Sequence, residues 1–134
     1  MVFHMNKAVS FLNDSKIFYI STIEEDKPRV RPFGAVMEWE NRVYICTNNK
    51  KEFYKQIQNN PNFEISATIG ASWIRLSGKL VTDPRVEAKE AMLLTYPALR
   101  NMYRIDDGIF EVLYITDGIA TINSIEGTKE VVTL

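Results

Sequence analysis

The chain has 134 residues, of which 46% are apolar and 25% are charged. This balance excludes extensive disorder and predicts one folded domain over residues 1–134, long enough to bury a core of its own. Sixteen basic and seventeen acidic side chains leave a net charge of -1 at pH 7, so no broad positive field favours nonspecific binding of nucleic acids.

Histidine and cysteine each occur once, as His4 and Cys46. One residue of each type cannot supply the ligands of a structural zinc site, so no metal is predicted, and a single cysteine excludes an intrachain disulfide. Cys46 lies in a strand-like run and is expected to be a buried thiol in a reducing compartment. No signal peptide is recognisable and no apolar run reaches the ~18 residues of a membrane span, so we expect a cytoplasmic protein.

The first third of the chain predicts a helix followed by strands. Apolar residues at loose helical spacing indicate a short helix over residues 3–13, and β-branched and aromatic residues indicate a strand over residues 17–23. A second strand is predicted over residues 29–39. It contains Pro32, which cannot donate to a ladder, and Gly34, which permits close approach of a backbone or a ligand, so irregular pairing is expected.

The rest of the chain alternates strands with short helices. Helices are predicted over residues 50–59, 83–94 and 96–102, the second of them capped by an Asp-Pro step. Asp117-Gly118 is a strong turn signal between the last two apolar runs. In total, six or seven strands with peripheral helices predict a mainly β fold, built as a mostly antiparallel barrel. The strands of this part are predicted over residues 43–47, 63–69, 73–82, 110–116 and 119–125.

The junction between the third strand and the following helix has the composition of an anion site. Thr47 and Asn48 end the strand, and Lys50 and Lys51 fall at the helix start, where unpaired N–H groups and the helix dipole favour negative charge. Lysines at this end of a helix cost roughly a few tenths of a kcal/mol unless an anion is present. A bound phosphate is one interpretation of this junction, and a solvated charged turn is the other.

Two other strands place a cation beside an aromatic side chain. In an extended strand Arg31 and Phe33 share one face while Pro32 lies on the other, and an arginine on an inward face needs an anion. Trp73 and Arg75 also share a strand face. Around the first pair, the irregular backbone at Pro32 and Gly34 offers N–H and C=O groups to the edge of a planar heteroaromatic ring, and the second pair suits a flavin ring with its phosphate or ribityl chain. The alternatives are an exposed edge strand with a bulge for the first pair and a packed core with a snorkelling cation for the second.

Taken in order, these segments resemble the pyridoxamine 5'-phosphate oxidase-like family of FMN-binding split barrels. The resemblance extends over residues 17–83, and the chain's length is similar to that of the nitroimidazole-reductase-like branch. It implies an antiparallel split β-barrel of six to seven strands that forms a homodimer, with FMN at the interface. The residues that carry the resemblance are, in chain order, 17–23, 29–34, 43–51, 60–61 and 73–78.

The resemblance also implies a role for individual residues around FMN, which fall into contacts with the phosphate or ribityl chain, contacts with the ring, and closure of the site by the second subunit. The implied residues are Arg31 at the phosphate or ribityl chain, Pro32 and Phe33 with their backbone along the ring, Thr47 and Asn48 as hydrogen-bond partners of the cofactor, Lys50 and Lys51 at the phosphate, and Trp73 and Arg75 from the second subunit.

No catalytic residue is predicted, because a flavin carries its own redox chemistry and the protein need only bind, orient and polarise it. The tail over residues 126–134 lacks the Arg-x-His element of the oxidase itself, and His4 lies in a terminal segment that is expected to fray. Tyr96, Tyr103 and Arg104 are candidates for lining a substrate opening. A packed helix pair with one solvated cation is the alternative for these three residues.

The leading functional hypothesis is an FMN-dependent oxidoreductase that reduces or oxidises a small organic substrate, with NAD(P)H as the electron source and a nitroaromatic compound as one candidate substrate. A second hypothesis is a flavin-binding protein without catalysis, or a relative that binds haem or a deazaflavin coenzyme. A third is a small nucleic-acid module that stacks bases on its aromatic residues, and the charge of -1 argues against it.

Overall fold

The computed structural model describes residues 6–134, in which one antiparallel sheet of eight strands is accompanied by short helices. The mainly β class predicted from the sequence is confirmed. The helices are α1 Lys7–Ser15, α2 Glu52–Asn59, α3 Val86–Thr95 and a 3-10 helix, Pro97–Asn101. The strands are β1 Phe18–Glu24, β2 Lys27–Phe33, β3 Met37–Trp39, β4 Arg42–Asn48, β5 Asn62–Ile69, β6 Ser72–Asp83, β7 Phe110–Ser124 and β8 Lys129–Thr133.

The strand order produces a barrel that is open along one line. Neighbours in the sheet follow the order β2-β1-β5-β6-β7-β4-β3, and β8 adds to β7. Because β2 and β3 stand at the two ends of this order and are not paired with each other, the barrel is split between them. Residues 34–36 connect these two strands directly. The predicted antiparallel split barrel is confirmed.

The barrel interior is the main hydrophobic core. Strands β5 and β6 alternate buried and exposed residues, so one face of each strand supplies apolar side chains to the interior. Ile65, Ile74 and Leu76 are among these side chains, and Leu12 from α1 and Phe53 from α2 pack against the same cluster. Burial of this apolar surface is the main force that holds α1 and α2 against the barrel.

A second hydrophobic cluster forms on the outside of β4, under α3. Tyr44 and Phe110 are completely buried there against Met92 and Leu93 of α3. Strand β4 is therefore covered on both faces, with alternate residues facing the barrel interior and the α3 cluster. This double burial holds Thr47, the residue before the last of β4, between the two layers.

The predicted strand over residues 29–39 is two strands, β2 and β3, because the chain leaves the sheet at residues 34–36. The predicted helix over residues 3–13 begins at Lys7 within the described residues, and His4 lies outside them. The predicted Asp-Pro cap is wrong, since Asp83 ends β6 and Arg85 precedes the first turn of α3. No helix in the part of the chain from residue 6 onward is long and apolar enough to cross a membrane.

The predicted turn at Asp117-Gly118 is also wrong. Strand β7 runs through both residues and stays paired with β6 over almost its whole length. Asp117 has a φ of 53°, and the register with β6 shifts between Ser77 and Lys79, so the two residues bend one long strand and do not reverse it. The reversal comes later, between β7 and β8, and β8 is a strand that the sequence patterns do not predict.

Candidate functional site

A cavity of about 340 Å³ opens beside the split in the barrel. Its walls come from three stretches that are far apart in sequence. These are residues 32–35 at the end of β2, the end of β4 with Lys51 beyond it, and the segment around the 3-10 helix. The split leaves this space open because no strand pairing closes it.

Four of the residues predicted to bind the cofactor line this cavity, namely Pro32, Phe33, Thr47 and Lys51. They come from two of the three stretches. Among the described residues that line the cavity, Lys51 alone carries a charge. The walls are otherwise mostly apolar, so the cavity suits a flat apolar group with a negative charge near one end.

Thr47 is 4% exposed, and its Oγ1 has no hydrogen-bond partner. Leaving a buried hydroxyl unsatisfied costs about 1–3 kcal/mol, which a folded protein rarely accepts without a reason. Because Thr47 also lines the cavity, a ligand with hydrogen-bonding atoms at this wall would supply the missing partner.

Lys51 is the residue that precedes α2, and no side chain caps the first turn of that helix. The helix start therefore offers the partial positive charge of its N–H groups together with the ammonium of Lys51. Lys50 does not line the cavity, and its backbone N–H donates to Asn48 Oδ1 at 3.0 Å. Of the two predicted lysines, the fold thus brings one to the cavity wall.

Arg31 lies next to the cavity without lining it. Its guanidinium donates to Thr22 Oγ1 at 2.7 Å and to Gln56 Oε1 at 2.8 Å, both neutral acceptors, and it lies 5.1 Å from the centre of the Phe53 ring. No carboxylate in residues 6–134 forms an ion pair with it. Burial lowers the pKa of Arg31, as expected for a partly desolvated cation.

The Phe53 ring connects Arg31 to the cavity wall. Phe33, which lines the cavity, meets the same ring edge-on at a centroid distance of 4.9 Å. Phe53 belongs to the first turn of α2, two residues after Lys51. Two separately predicted cationic segments therefore meet at one helix start.

Trp73 and Arg75 lie on the outer face of β6, away from this cavity. Trp73 is 39% exposed, and Arg75 forms an exposed ion pair with Glu64 at 3.0 Å. Within one chain they cannot contact a molecule in the cavity, so a role there requires a second copy of the chain.

The candidates for the substrate opening separate into two groups. Tyr96 and Tyr103 line the cavity, whereas Arg104 lies on an exposed loop and pairs with Asp106 at 3.3 Å. Asn48, predicted to contact the cofactor, uses its amide within the protein, because Nδ2 donates to Tyr103 Oη at 2.8 Å and Oδ1 accepts from Lys50.

Several cavity residues were not predicted from the sequence. Cys46 lines the wall as a half-buried thiol, and burial raises its pKa to about 12, so it stays protonated at neutral pH. Leu99 and Met102 also line the cavity from the segment around the 3-10 helix. The sequence does contain a signal for this segment, because Leu99 and Met102 are large apolar residues in and directly after a short helix that has no buried residue. Within residues 6–134 no group of three potential metal ligands occurs.

Comparison with known proteins agrees with this architecture. The family model for pyridoxamine 5'-phosphate oxidase matches residues 5–106. A NimC/NimA family protein from Clostridium acetobutylicum is 49% identical, with a TM-score of 0.93, over 96% of this chain and 90% of that one. No curated protein matches the chain.

More distant structures share the fold. A pyridoxamine 5'-phosphate oxidase-related, FMN-binding protein from Nostoc punctiforme is 12% identical, with a TM-score of 0.62, over 95% of this chain and 94% of that one. A haem-binding protein from Mycobacterium smegmatis is 17% identical, with a TM-score of 0.70, over 98% of this chain and 60% of that one. With the family model matching most of its length and a close relative covering nearly all of it, this chain belongs to the pyridoxamine 5'-phosphate oxidase family.

Proposed function

We propose that this protein binds FMN in the cavity beside the split and acts as a flavin-dependent oxidoreductase on a small organic substrate. One observation carries the proposal. Residues predicted for FMN from distant stretches, Phe33, Thr47 and Lys51, line one cavity, and the buried Thr47 hydroxyl there lacks a partner.

The chemistry of the cavity fits the three parts of FMN. The apolar wall that includes Phe33 and Leu99 suits the flat ring, and the backbone of residues 32–35 offers polar groups to its edge. Lys51 and the uncapped start of α2 suit the phosphate, and Arg31 adds a second cation with no ion-pair partner among residues 6–134. Thr47 supplies an unpartnered hydroxyl to the cavity wall.

The flavin supplies redox chemistry when it is bound, and the chain's own residues bind it, orient it and exclude water from it. Leu99 and Met102 line the cavity with apolar side chains, which favours a small, largely apolar substrate. A nitroaromatic compound fits that description, with NAD(P)H as the electron source. The relatives support this direction, since one is an FMN-binding protein and another belongs to the NimC/NimA family.

We also propose that the working form is a homodimer in the cytoplasm. Trp73 and Arg75 lie on the outer face of the sheet, where a second copy would bring them to the partner's cavity and complete it. The wall of a single chain is open on the side of the split, so a second subunit would also shield the cofactor from water.

The absorption spectrum of the purified protein tests the cofactor. We expect flavin bands in the protein as isolated or after addition of FMN. A Soret band would favour haem, and tighter binding of a deazaflavin coenzyme than of FMN would favour that cofactor. Bound FMN that NAD(P)H cannot reduce would point to a flavin-binding protein without catalysis. If no flavin binds, the proposal is wrong.

Two neighbouring lysines provide a matched test of the phosphate site. Lys51→Ala should weaken FMN binding by about 1.5–3 kcal/mol, because it removes a charge-assisted hydrogen bond to the phosphate. Riboflavin, which has no phosphate, should bind both forms equally well. Lys50→Ala removes the same charge from a residue that does not line the cavity, and should change FMN affinity little. Titrations followed by flavin fluorescence measure the affinities of the wild type and of both variants. Equal losses of FMN and riboflavin affinity in Lys51→Ala would contradict a phosphate role.

A further inference from the structure

The side chain of Asn48 has a fixed orientation. Its Oδ1 lies 3.0 Å from the backbone nitrogen of Lys50, and its Nδ2 lies 2.8 Å from Tyr103 Oη. A backbone N–H can only donate, so the amide oxygen must face Lys50 and the amide NH₂ must face Tyr103. The opposite orientation would place two donors against each other.

This orientation decides the state of the Tyr103 hydroxyl. Because Asn48 Nδ2 is a donor, the hydroxyl oxygen must accept, and the hydroxyl proton is left to point elsewhere. No atom in the part of the chain that the structure describes accepts that proton, and Tyr103 lines the cavity. The side chain is held in place, since its ring stacks on Phe110 at 4.9 Å and its backbone N–H donates to Leu99 O at 2.9 Å.

The second tyrosine of the cavity is different. Tyr96 Oη accepts from the backbone N–H of Val36 at 3.1 Å, and two acceptors for its own proton, Val36 O and Asn13 Oδ1, each lie at 2.9 Å. Its hydroxyl is therefore fully used by the fold. Of the two tyrosine hydroxyls at the cavity, only that of Tyr103 has a hydrogen bond left to give within the described residues.

We propose that the Tyr103 hydroxyl donates a hydrogen bond to an acceptor atom of a planar ligand in the cavity, and that Asn48 is the positioning residue that turns this proton toward the ligand. The matching chemistry is a nitro or carbonyl oxygen, or a ring nitrogen, conjugated to a flat ring. The inference rests on the proposed function only in taking this cavity as the ligand site. It names a specificity for acceptor-bearing ligands that an apolar cavity alone would not have.

Nitrobenzene and toluene test the proposal, because they have similar size and only nitrobenzene carries acceptor oxygens. The wild-type protein should bind nitrobenzene more tightly than toluene in equilibrium titrations. These are done with FMN present if the protein binds it, and otherwise on the flavin-free chain. Tyr103→Phe should weaken nitrobenzene binding about 3- to 10-fold, the value of one neutral hydrogen bond, and leave toluene unchanged. Tyr54→Phe is the matched control, since Tyr54 lies on α2 and its hydroxyl accepts from Thr82 Oγ1 at 3.3 Å.

Asn48→Asp tests the positioning role with the Tyr103 hydroxyl still present. The introduced carboxylate accepts from both Lys50 N–H and Tyr103 O–H, so it draws the tyrosine proton away from the cavity. We expect the same selective loss of nitrobenzene affinity as in Tyr103→Phe, with toluene affinity retained. Tyr103→Phe and Asn48→Asp variants that keep the wild-type affinity for both nitrobenzene and FMN would overturn the proposal.

The dissociation constant of FMN for Tyr103→Phe identifies the source of the acceptor. A loss confined to FMN assigns the acceptor to the flavin ring, and a loss confined to nitrobenzene assigns it to the substrate. Both outcomes support the hydroxyl as a donor, and a variant that loses affinity for neither ligand overturns it. If the wild-type protein does not bind FMN, the proposed function fails, and the comparison of nitrobenzene with toluene on the flavin-free chain still tests Tyr103.

Discussion

Among individual residues, Asp83 has the most strongly perturbed carboxylate in the described chain. It is 3% exposed at the end of β6, where Arg85 donates to it from both backbone and side chain and Tyr44 Oη donates at 2.8 Å. The hydrogen bonds from Arg85 lower the pKa of Asp83 from 3.8 to about 2, against the opposing effect of burial. The guanidinium also lies 5.0 Å from the centre of the Trp39 ring, so this one carboxylate organises the junction of β6, β4 and α3.

This pKa predicts how stability depends on pH. The pKa of Asp83 is lower in the folded state, so its contribution is complete above pH 3.8 and is lost as the pH falls toward 2. The wild-type free energy of unfolding should fall by about 2 kcal/mol more than that of Asp83→Asn over this range. Chemical denaturation at several pH values measures it. Asp106→Asn, which changes an exposed carboxylate, is the control. Parallel pH curves for the wild type and Asp83→Asn would contradict the prediction.

For individual residues, the sequence predicts some of those that line the cavity, but it does not predict the hydrogen-bond partners of their side chains. Thr47 and Lys51 are predicted from a local pattern, a strand that ends at a helix start, and that pattern is preserved in the fold. The partner of Asn48 is a residue 55 positions later, Tyr103, and its position depends on how the 3-10 helix docks. A contact between residues so far apart in the sequence depends on tertiary packing, so the spacing of neighbouring residues does not predict it.

Among the elements, the long pair β6 and β7 determines the shape of the barrel. At the bend in this pair, a Cβ added to Gly78 would lie 2.8 Å from the backbone oxygen of Thr116 and 3.1 Å from Gly118 Cα. Both are backbone atoms, which cannot move aside as a flexible side chain can. Glycine is therefore required where the two strands approach most closely.

Gly78→Ala should destabilise the protein by about 1–3 kcal/mol, because the added methyl group forces the two strands apart. Gly34→Ala is the matched control. A Cβ there would meet nothing closer than 3.6 Å, which is ordinary van der Waals contact. Thermal and urea unfolding of both variants measure the difference. A Gly78→Ala protein as stable as the wild type would show that the strands can separate at no cost.

The bend also explains why the Asp117-Gly118 prediction fails. An Asp-Gly pair between two apolar runs has the same local preference for positive φ in a hairpin turn and in a bulge. What decides between them is whether a partner strand continues alongside, and β6 continues from Ser72 to Asp83. The local sequence of β7 does not show whether β6 continues alongside it, so the sequence around Asp117-Gly118 cannot distinguish a turn from a bulge.

Across the whole molecule, the outer face of the sheet exposes several large apolar side chains. The register places Tyr19, Ser66, Arg75, Thr121 and Val131 in one row across neighbouring strands. Tyr19 is 52% exposed and Val131 is 59% exposed. Exposed apolar side chains grouped on one face commonly mark interaction surfaces. This row includes Arg75 and lies beside Trp73, the two residues expected to reach a partner's cavity.

Tyr19→Lys should therefore shift the protein from dimer to monomer, since it replaces an exposed apolar side chain of the proposed interface with a charge. We expect the dimer dissociation constant to rise at least about 10-fold, equivalent to ~1.4 kcal/mol. Sedimentation equilibrium measures it. Leu94→Lys is the control, because Leu94 is 66% exposed on α3 and lies off this face. A wild-type protein that is monomeric at micromolar concentration would contradict the proposed homodimer.

The global architecture could be predicted because the ordered motifs reflect a whole family, whereas the strand count could not. The split of residues 29–39 into β2 and β3 and the addition of β8 both depend on where the barrel closes. An apolar run in the sequence does not show whether a partner strand is present beside it, so it does not define where a strand begins or ends. A surface that faces a second subunit likewise has the composition of a weak core, so the sequence alone does not distinguish the two.

The missing ladder between the two ends of the sheet has a mechanical consequence. A molecule seated beside residues 32–35 touches the edge of β2 and, through Thr47, the far side of the opening. A bound ligand would therefore connect the two ends of the sheet, which no backbone hydrogen bonds join. Ligand binding and the stability of the barrel are then coupled, because a ligand that binds across the opening stabilises the folded state to which it binds.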